Sequence, residues 1–120
     1  MKVAFTTTGT DLEAPLDPRF GRSPFFVVCD AESGAIEVID NEKNLNASQG
    51  AGVQAAGSVV RSGAECVITG HCGPNAFRVL SMAGVRIYLT DAPTIGEALD
   101  RFRAGSLQAL TQADVEGHWA

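Results

Sequence analysis

A histidine–cysteine pair and an arginine downstream of it are the residues whose types and spacing most directly suggest chemistry. His71 and Cys72 lie in the stretch VITGHCGPNAFRV, and Arg78 follows the cysteine after five residues. With this spacing, tyrosine-phosphatase-type enzymes place a thiolate beneath a phosphate and aim an arginine at the same anion. The same letters also predict a strand, a turn and a helix, with the cysteine in the turn.

Three positions in this stretch disfavour the phosphatase interpretation. Pro74 removes one donor from a loop that must point successive N–H groups inward. Asn75 stands where that loop normally has a glycine, and Val79 stands where a hydroxyl usually stabilises the leaving thiolate. Because Pro74 suits the first position of a helix, Arg78 is expected about one turn inside that helix, facing away from Cys72. A small cysteine-dependent phosphatase therefore stays only as an alternative.

His71 and Cys72 are also the candidate metal ligands. Adjacent residues can both reach a metal only in an irregular loop, and the GHCG turn is one. Thiolate and imidazole suit a molybdenum, copper or iron sulfide cluster, whereas the lack of C-x₂-C or H-x₃-H pairs disfavours a structural zinc site. Cys29 and Cys66 lie in apolar segments and are predicted to be small buried residues. His118, near the end of the sequence, is predicted to have no role.

Composition sets broad limits on function. A chain of 120 residues with 45% hydrophobic and 19% charged residues is expected to form one globular domain. The net charge of −5 argues against a general nucleic-acid surface, which needs clustered lysine and arginine. No apolar run approaches the roughly 20 residues of a membrane helix. With no signal-peptide pattern and three cysteines at unrelated spacings, we expect a cytoplasmic monomer with reduced thiols.

The elements that position these residues follow from the changing hydrophobic period. A first strand (2–8) and a long loop (9–24) precede a hairpin, FFVVCD and AIEVID, that turns at Gly34. Two helix–strand pairs follow, the helix AGVQAAGSVVRSG with the strand AECVIT and the helix PNAFRVLSMAG with the strand VRIYLT. The first of these helices is predicted to bury Val53, Ala56, Val59 and Val60 and to end at Gly63. The last helix, TIGEALDRFRAG, begins with a capping box of Thr94 and Glu97.

This order of elements predicts the fold class. Strand–helix–strand units require parallel neighbouring strands, so the strand at 65–69 should lie inside the sheet with Cys66 buried. The result is an α/β domain with a mixed five-stranded sheet and helices on both faces. The last fifteen residues have weak periodicity and are predicted to be a docked or frayed tail, which divides the chain into a domain (1–104) and a tail (105–120).

Two long motifs resemble a known family. DPRFGRSPFF (17–26) fits the pattern D-x-R-F-G-R-[SA]-x-x-[FY], and GHCGPNAF (70–77) fits G-x-x-G-P-x-A-F. In this order they resemble the NifX-like domains of the dinitrogenase iron–molybdenum cofactor biosynthesis family, and the resemblance spans roughly residues 1 to 104. It implies a ribonuclease-H-like fold and a non-catalytic carrier of an anionic metal–sulfur cluster. A stand-alone domain of this size is more similar to the orange-protein or NifX branch than to the fused NifB type.

The resemblance also implies a cofactor and its site. The cofactor would be a molybdenum–copper sulfide cluster, or alternatively the iron–molybdenum cofactor or its precursor, exchanged with donor or acceptor proteins. Parallel sheets bind ligands at the carboxyl ends of their strands, and helix N-termini favour anions, which points to the same two loops. The expected metal ligands are His71 and Cys72, and the expected cofactor-binding residues are Arg19, Phe20, Gly21, Arg22, Gly70, Gly73 and Asn75.

Several alternatives stay open at this point. The cluster is either ligated directly by the histidine and cysteine or held without protein bonds, by arginines, N–H groups and apolar contacts from Phe20 and Phe25; we favour the second mode. The glycines could merely turn the chain while the arginines are solvated, and the protein could be a metal-free interaction module. A nuclease is disfavoured, because the strands carry no central pair of carboxylates for two metals.

Overall fold

The structure, a computed structural model, describes residues 1–42 and 50–111. No helix in that part of the chain is long and apolar enough to cross a membrane. The predicted order of strands and helices is confirmed. The elements are β1 (Lys2–Thr7), a 3₁₀ turn (Phe20–Arg22), β2 (Phe25–Asp30), β3 (Ile36–Asp40), α1 (Ala51–Arg61), β4 (Cys66–Thr69), α2 (Pro74–Met82), β5 (Arg86–Leu89) and α3 (Ile95–Arg103).

The five strands form one mixed sheet in the order β3-β2-β1-β4-β5. The first three strands pair antiparallel, whereas β4 is parallel to both of its neighbours, β1 and β5. Every residue of β4 is buried, including Cys66, because α1 and α2 cover one face of this strand and α3 covers the other. The prediction of a mixed, ribonuclease-H-like α/β sheet with an interior parallel strand is therefore confirmed.

Successive residues of the strands point to opposite faces of the sheet, and they contribute to two hydrophobic clusters, one on each face. On one face, Ala4, Val67 and Ile87 pack with α1 and α2, and this cluster also holds Phe20 and Cys72. The opposite cluster packs against α3 and contains a different set of residues, among them Val3, Phe5, Cys66, Ile68, Ile95, Ala98 and Leu99. Helices thus cover both faces, as the sequence predicts.

The predicted core face of α1 is wrong at Val53. This valine is 37% exposed, and the buried residues of the helix are Ala51, Gly52, Ala55, Ala56 and Val59. The helix contacts both α2 and the 3₁₀ turn at Phe20–Arg22, so its small residues face these neighbours. Val53 lies away from that stripe, and Gly63 follows the end of the helix with a φ of 82°.

Two segments without regular structure are tied to the sheet. In the long loop, Leu16 bridges Thr7, and the Leu16 N–H donates to the Pro93 carbonyl at 3.2 Å. In the tail, the Leu110 N–H donates to the Ile87 carbonyl at 2.7 Å, which places this part of the tail beside β5. The rest of the tail, with His118, and the polar stretch 43–49 lie outside the described residues.

Candidate functional site

The site begins where β1 and β4 end side by side. Thr6 and Thr69 are buried on these neighbouring strands, and their hydroxyl oxygens lie 2.9 Å apart. The Thr6 hydroxyl donates to the Asp17 carbonyl at 2.6 Å, and the Asp17 N–H donates back to the Thr6 carbonyl at 2.9 Å. The long loop is therefore anchored directly over the carboxyl ends of two parallel strands.

Asp17 also orients the first arginine of the loop. Its side chain is 3% exposed, and its Oδ1 accepts from the Arg19 N–H at 2.9 Å and lies 3.7 Å from the Arg19 Nε. The Arg19 side chain itself is 53% exposed. A nearly buried carboxylate thus sets the direction of an exposed guanidinium. Sequence reasoning missed this role, although the Asp-Pro pair and an aspartate two residues before a backbone donor are a recognisable Asx-turn signal.

The two motif loops are in direct contact. Arg19 and His71 form a parallel bridge, and the Phe20 N–H donates to the His71 carbonyl at 3.3 Å. A Cβ atom on Gly70 would lie 2.6 Å from the Cα of Pro18. Gly70, which the sequence analysis expects to bind the cofactor, therefore allows the chain's own Pro18 to approach closely. As a result, the 17–24 loop and the 70–75 turn form one surface.

The predicted site residues divide by exposure. Arg19, His71 and Asn75 are exposed, whereas Arg22 and Gly70 are half-buried. The others are buried: Phe20, Gly21, Cys72 and Gly73. The Phe20 ring packs against Phe26 with ring centroids 5.4 Å apart, in the same hydrophobic cluster as Cys72.

The helix after the turn begins as predicted. Gly73 is the N-cap and Pro74 occupies the first turn, and no side chain caps the helix. The first hydrogen bond inside this helix runs from the Phe77 N–H to the Gly73 carbonyl. The N–H groups of Asn75 and Ala76 therefore have no acceptor inside the helix. With the positive end of the helix dipole, these groups favour an anion.

Cys72 and Arg78 do not meet in a phosphate-binding loop. The cysteine sulfur is fully buried and lies 3.7 Å from the Gly73 carbonyl oxygen. Arg78 is exposed on α2, where its Nη2 lies 3.4 Å from Asn75 Oδ1. The thiol is in the core while the guanidinium points along the outer face of the helix, as the three departures in sequence predict.

A cavity of about 690 Å³ opens beside His71, at the carboxyl ends of β4 and β5. Sequence reasoning identified only Gly70 and His71 among its walls. The remaining walls come from Pro18 of the long loop, from the end of β5 and the segment after it, from α3 and from the start of the tail. The lining residues are Pro18, Gly70, His71, Leu89, Thr90, Asp91, Arg101, Ser106 and Leu107. The only sequence signal for this wall is that Thr90 and Asp91 also follow a parallel strand.

The other potential metal ligands do not converge. Within residues 1–42 and 50–111, no group of three or more His, Cys, Asp or Glu side chains is placed to hold a metal ion. Burial raises the pKa of the Cys29 thiol and of the Cys66 thiol, so both are neutral near pH 7. They pack in the cluster beneath α3, in line with their prediction as small buried residues.

Sequence comparisons match this chain to a known family. The sequence model of the dinitrogenase iron-molybdenum cofactor family matches residues 1–105. An uncharacterized protein from Methanocaldococcus jannaschii is 30% identical over 96 residues, which cover 78% of this chain and 80% of the relative.

Solved structures show the same fold. The apo form of the orange protein from Desulfovibrio gigas superimposes with a TM-score of 0.92 at 36% identity, covering 95% of this chain and 96% of that one. A Thermotoga protein proposed to be NifB gives a TM-score of 0.84 at 37% identity, with coverage of 97% and 98%. A Methanocaldococcus jannaschii protein at 16% identity and a TM-score of 0.70, covering 93% and 96%, shares the fold alone.

Proposed function

Because this chain belongs to the dinitrogenase iron-molybdenum cofactor family, we propose that it is a carrier that binds an anionic metal–sulfur cluster and performs no turnover chemistry itself. The observation that carries the proposal is the direct docking of the two motif loops. The bridge between Arg19 and His71 places an arginine next to an exposed imidazole. The nearly buried Asp17 carboxylate orients this arginine. The arginine and the imidazole both lie beside the N-terminus of α2.

The electrostatics of this surface suit a multiply charged thiometalate. Such an anion loses hydration on binding, and fixed positive groups in a partly dry site can replace that hydration. The Asp17 contact to Arg19 is made through Nε, so the Nη groups of this exposed side chain can donate to an anion. Arg22 and the N–H groups of Asn75 and Ala76 add positive ends, giving a site between the 17–24 loop and the 70–75 turn.

The burial of Cys72 supports a non-covalent cage as the binding mode. A fully buried thiol would have to leave the core to ligate a cluster, whereas the exposed His71 would not. One histidine and one cysteine also cannot satisfy a multinuclear cluster. In this proposal the cage is made by Arg19, Arg22, His71 and backbone N–H groups, and Phe20 and Cys72 support it from within the core.

The cargo we propose is a molybdenum–copper sulfide cluster, which the resemblance to the orange-protein branch implies; the similarity to the orange protein structure, at 36% identity and a TM-score of 0.92, supports this choice. The iron–molybdenum cofactor or a precursor of it is the alternative. The carrier would be a cytoplasmic monomer whose binding unit is residues 1–104, and it would exchange its cargo with donor and acceptor proteins.

Anaerobic reconstitution tests the proposal. Protein supplied with tetrathiomolybdate and copper should develop a protein-bound absorption spectrum, with both metals found by analysis. The double variant Arg19→Ala/Arg22→Ala should bind at least about tenfold more weakly, since each charge-assisted donor contributes roughly 1–3 kcal/mol. Added salt should weaken binding further if the site is open. Arg61→Ala/Arg103→Ala removes the same charge from exposed positions on α1 and α3 and should bind as the parent does.

Two further variants separate the binding modes. Complete loss of the cluster in Cys72→Ser or His71→Ala means direct ligation, whereas retention of the cluster, with no more than weakened affinity in His71→Ala, means a cage. Unchanged uptake and an unchanged spectrum in all of these variants, including the arginine pair, would place the site elsewhere and refute the assignment.

A further inference from the structure

The cavity beside His71 has a wall with an arginine that belongs to neither motif loop. Among the described residues that line it, Arg101 of α3 carries the one permanent positive charge. The cavity also exposes Leu89 and Leu107, which offer apolar contact to the soft surface of a sulfide. Because Gly70 and His71 line this same space, the cavity continues directly from the surface proposed to bind the cluster.

Arg101 is held by two carboxylates and one hydroxyl. Its Nη1 donates to Asp91 Oδ1 at 2.7 Å and lies 3.3 Å from Thr90 Oγ1, and its Nη2 donates to Glu97 Oε2 at 2.7 Å. The hydrogen bond from Arg101 lowers the pKa of Asp91, so this carboxylate is ionised throughout the neutral range.

The two carboxylates differ in how firmly they are held. The Asp91 side chain is 97% exposed, whereas the side chains of Glu97 and Arg101 are 46% and 38% exposed. Glu97 is one helical turn before Arg101 on α3, which keeps their contact local. An ion pair with a fully hydrated partner contributes little, so separating Asp91 from Arg101 is easy.

We propose that Arg101 is a further anion-binding residue of this cavity and that Asp91 is its exchangeable placeholder. The inference rests on the proposed function. When a thiometalate enters, it replaces Asp91 at the Arg101 Nη1, and the Asp91 carboxylate turns into water. Glu97 keeps its hold on Nη2 and so fixes the guanidinium. A multiply charged anion outcompetes one exposed carboxylate at this position, because it brings more negative charge to the same guanidinium.

This exchange predicts effects of opposite sign at two residues in contact. Arg101→Gln removes a donor and should weaken anion binding. Asp91→Asn removes the competing negative charge while leaving the arginine in place, and so should strengthen binding. A purely structural role for the ion pair would instead make both variants worse.

The test is an anaerobic titration of the full chain with tetrathiomolybdate and copper, followed by absorption. We expect binding to weaken by about five- to tenfold in Arg101→Gln, because this variant loses one charge-assisted hydrogen bond to the anion. We expect binding to tighten by about threefold in Asp91→Asn, because an exposed ion pair such as Arg101–Asp91 contributes a free energy of about this size. Arg103→Gln and Asp100→Asn make the same charge changes at exposed positions of α3 and should stay within about twofold of the parent.

A second measurement follows the exchange directly. In ¹H–¹⁵N spectra, the Nε–H resonance of Arg101 should shift as tetrathiomolybdate is added, while that of Arg103 should not. Thermal unfolding of Arg101→Gln separates a folding defect from a binding defect, and Asp91→Asn retains the arginine in any case.

The outcomes distinguish this inference from the proposal on which it rests. If the parent binds and Arg19→Ala/Arg22→Ala weakens binding, but Arg101→Gln and Asp91→Asn do not differ from their controls, only the role of Arg101 is refuted. Weaker binding in Asp91→Asn also refutes it. If the parent takes up no thiometalate, both the proposed function and this inference are wrong.

Discussion

At the scale of single residues, Gly70 determines how closely the two motif loops can approach. A Cβ atom there would lie 2.6 Å from the Cα of Pro18 and 2.9 Å from its carbonyl oxygen. Backbone atoms cannot rotate away as the end of a side chain can. Any larger residue at position 70 must therefore push the 17–24 loop off the 70–75 turn and move Arg19 relative to His71.

We accordingly expect Gly70→Ala to lower the free energy of unfolding by about 1–3 kcal/mol, the usual cost of forcing an extra carbon into a packed site. Urea denaturation measures this loss, and the same variant should bind the cluster more weakly. Gly57→Ala is the matched control, because its Cβ would meet only the flexible end of Arg61, at 3.1 Å. That control should be neutral or gain up to about 1 kcal/mol from helix propensity. Equal stabilities of Gly70→Ala and the parent would contradict the docking of the loops.

At the scale of elements, α3 depends on its N-cap residue, Thr94, for a defined start. The Thr94 hydroxyl accepts from the Glu97 N–H at 3.2 Å, which confirms one half of the predicted capping box. The Glu97 carboxylate is committed elsewhere, to Arg101 at 2.7 Å. Since α3 supplies a wall of the cavity, the position of Arg101 depends on this cap.

Thr94→Ala should therefore destabilise the protein by about 1 kcal/mol, the typical loss for a helix N-cap. Thr94→Ser retains the hydroxyl and should recover most of the stability. Thermal or chemical unfolding of the three proteins measures the difference. An alanine variant as stable as the serine variant would show that the hydrogen bond at the cap contributes nothing.

At the scale of the whole molecule, two thiols link stability to alkaline pH. Cys29 and Cys66 lie on the strands that flank β1, where both pair with Val3, and both are fully buried beneath α3. Burial is the largest cause that raises each pKa above the ordinary value of 9.0. The folded state therefore holds these protons to higher pH than the unfolded state does.

The sign of the effect follows from this difference. Stability from the two thiols is complete below about pH 9 and is lost as pH rises towards their raised pKa values, by at most about 1.4 kcal/mol per pH unit for each thiol. Urea denaturation between pH 7 and pH 10 should show this decline, and Cys29→Ala/Cys66→Ala should show a shallower one. Comparing slopes cancels the other groups that titrate in this range. Parallel slopes in the two proteins would rule out this origin.

The sequence by itself determined the elements, their order and the parallel placement of β4, because these depend on local periodicity, on caps and on the geometry of crossover connections. It also identified Arg19 and His71 as residues of one candidate site, since both belong to motifs that follow parallel strands. It failed at Val53, because α1 is lined with alanines and glycines and periodicity alone does not say which stripe of small residues faces the sheet.

Only the tertiary structure decided which motif residues face solvent and what completes the cavity. Phe20 and Cys72 each directly follow an exposed residue of the same motif, yet both are in the core because α1 and α2 cover them. Arg101, Asp91 and Leu107 come from segments after β5 that share no motif with the two loops. These residues line one cavity with His71 because of the strand order and the path of the tail. Both depend on long-range contacts, which residue spacing does not encode.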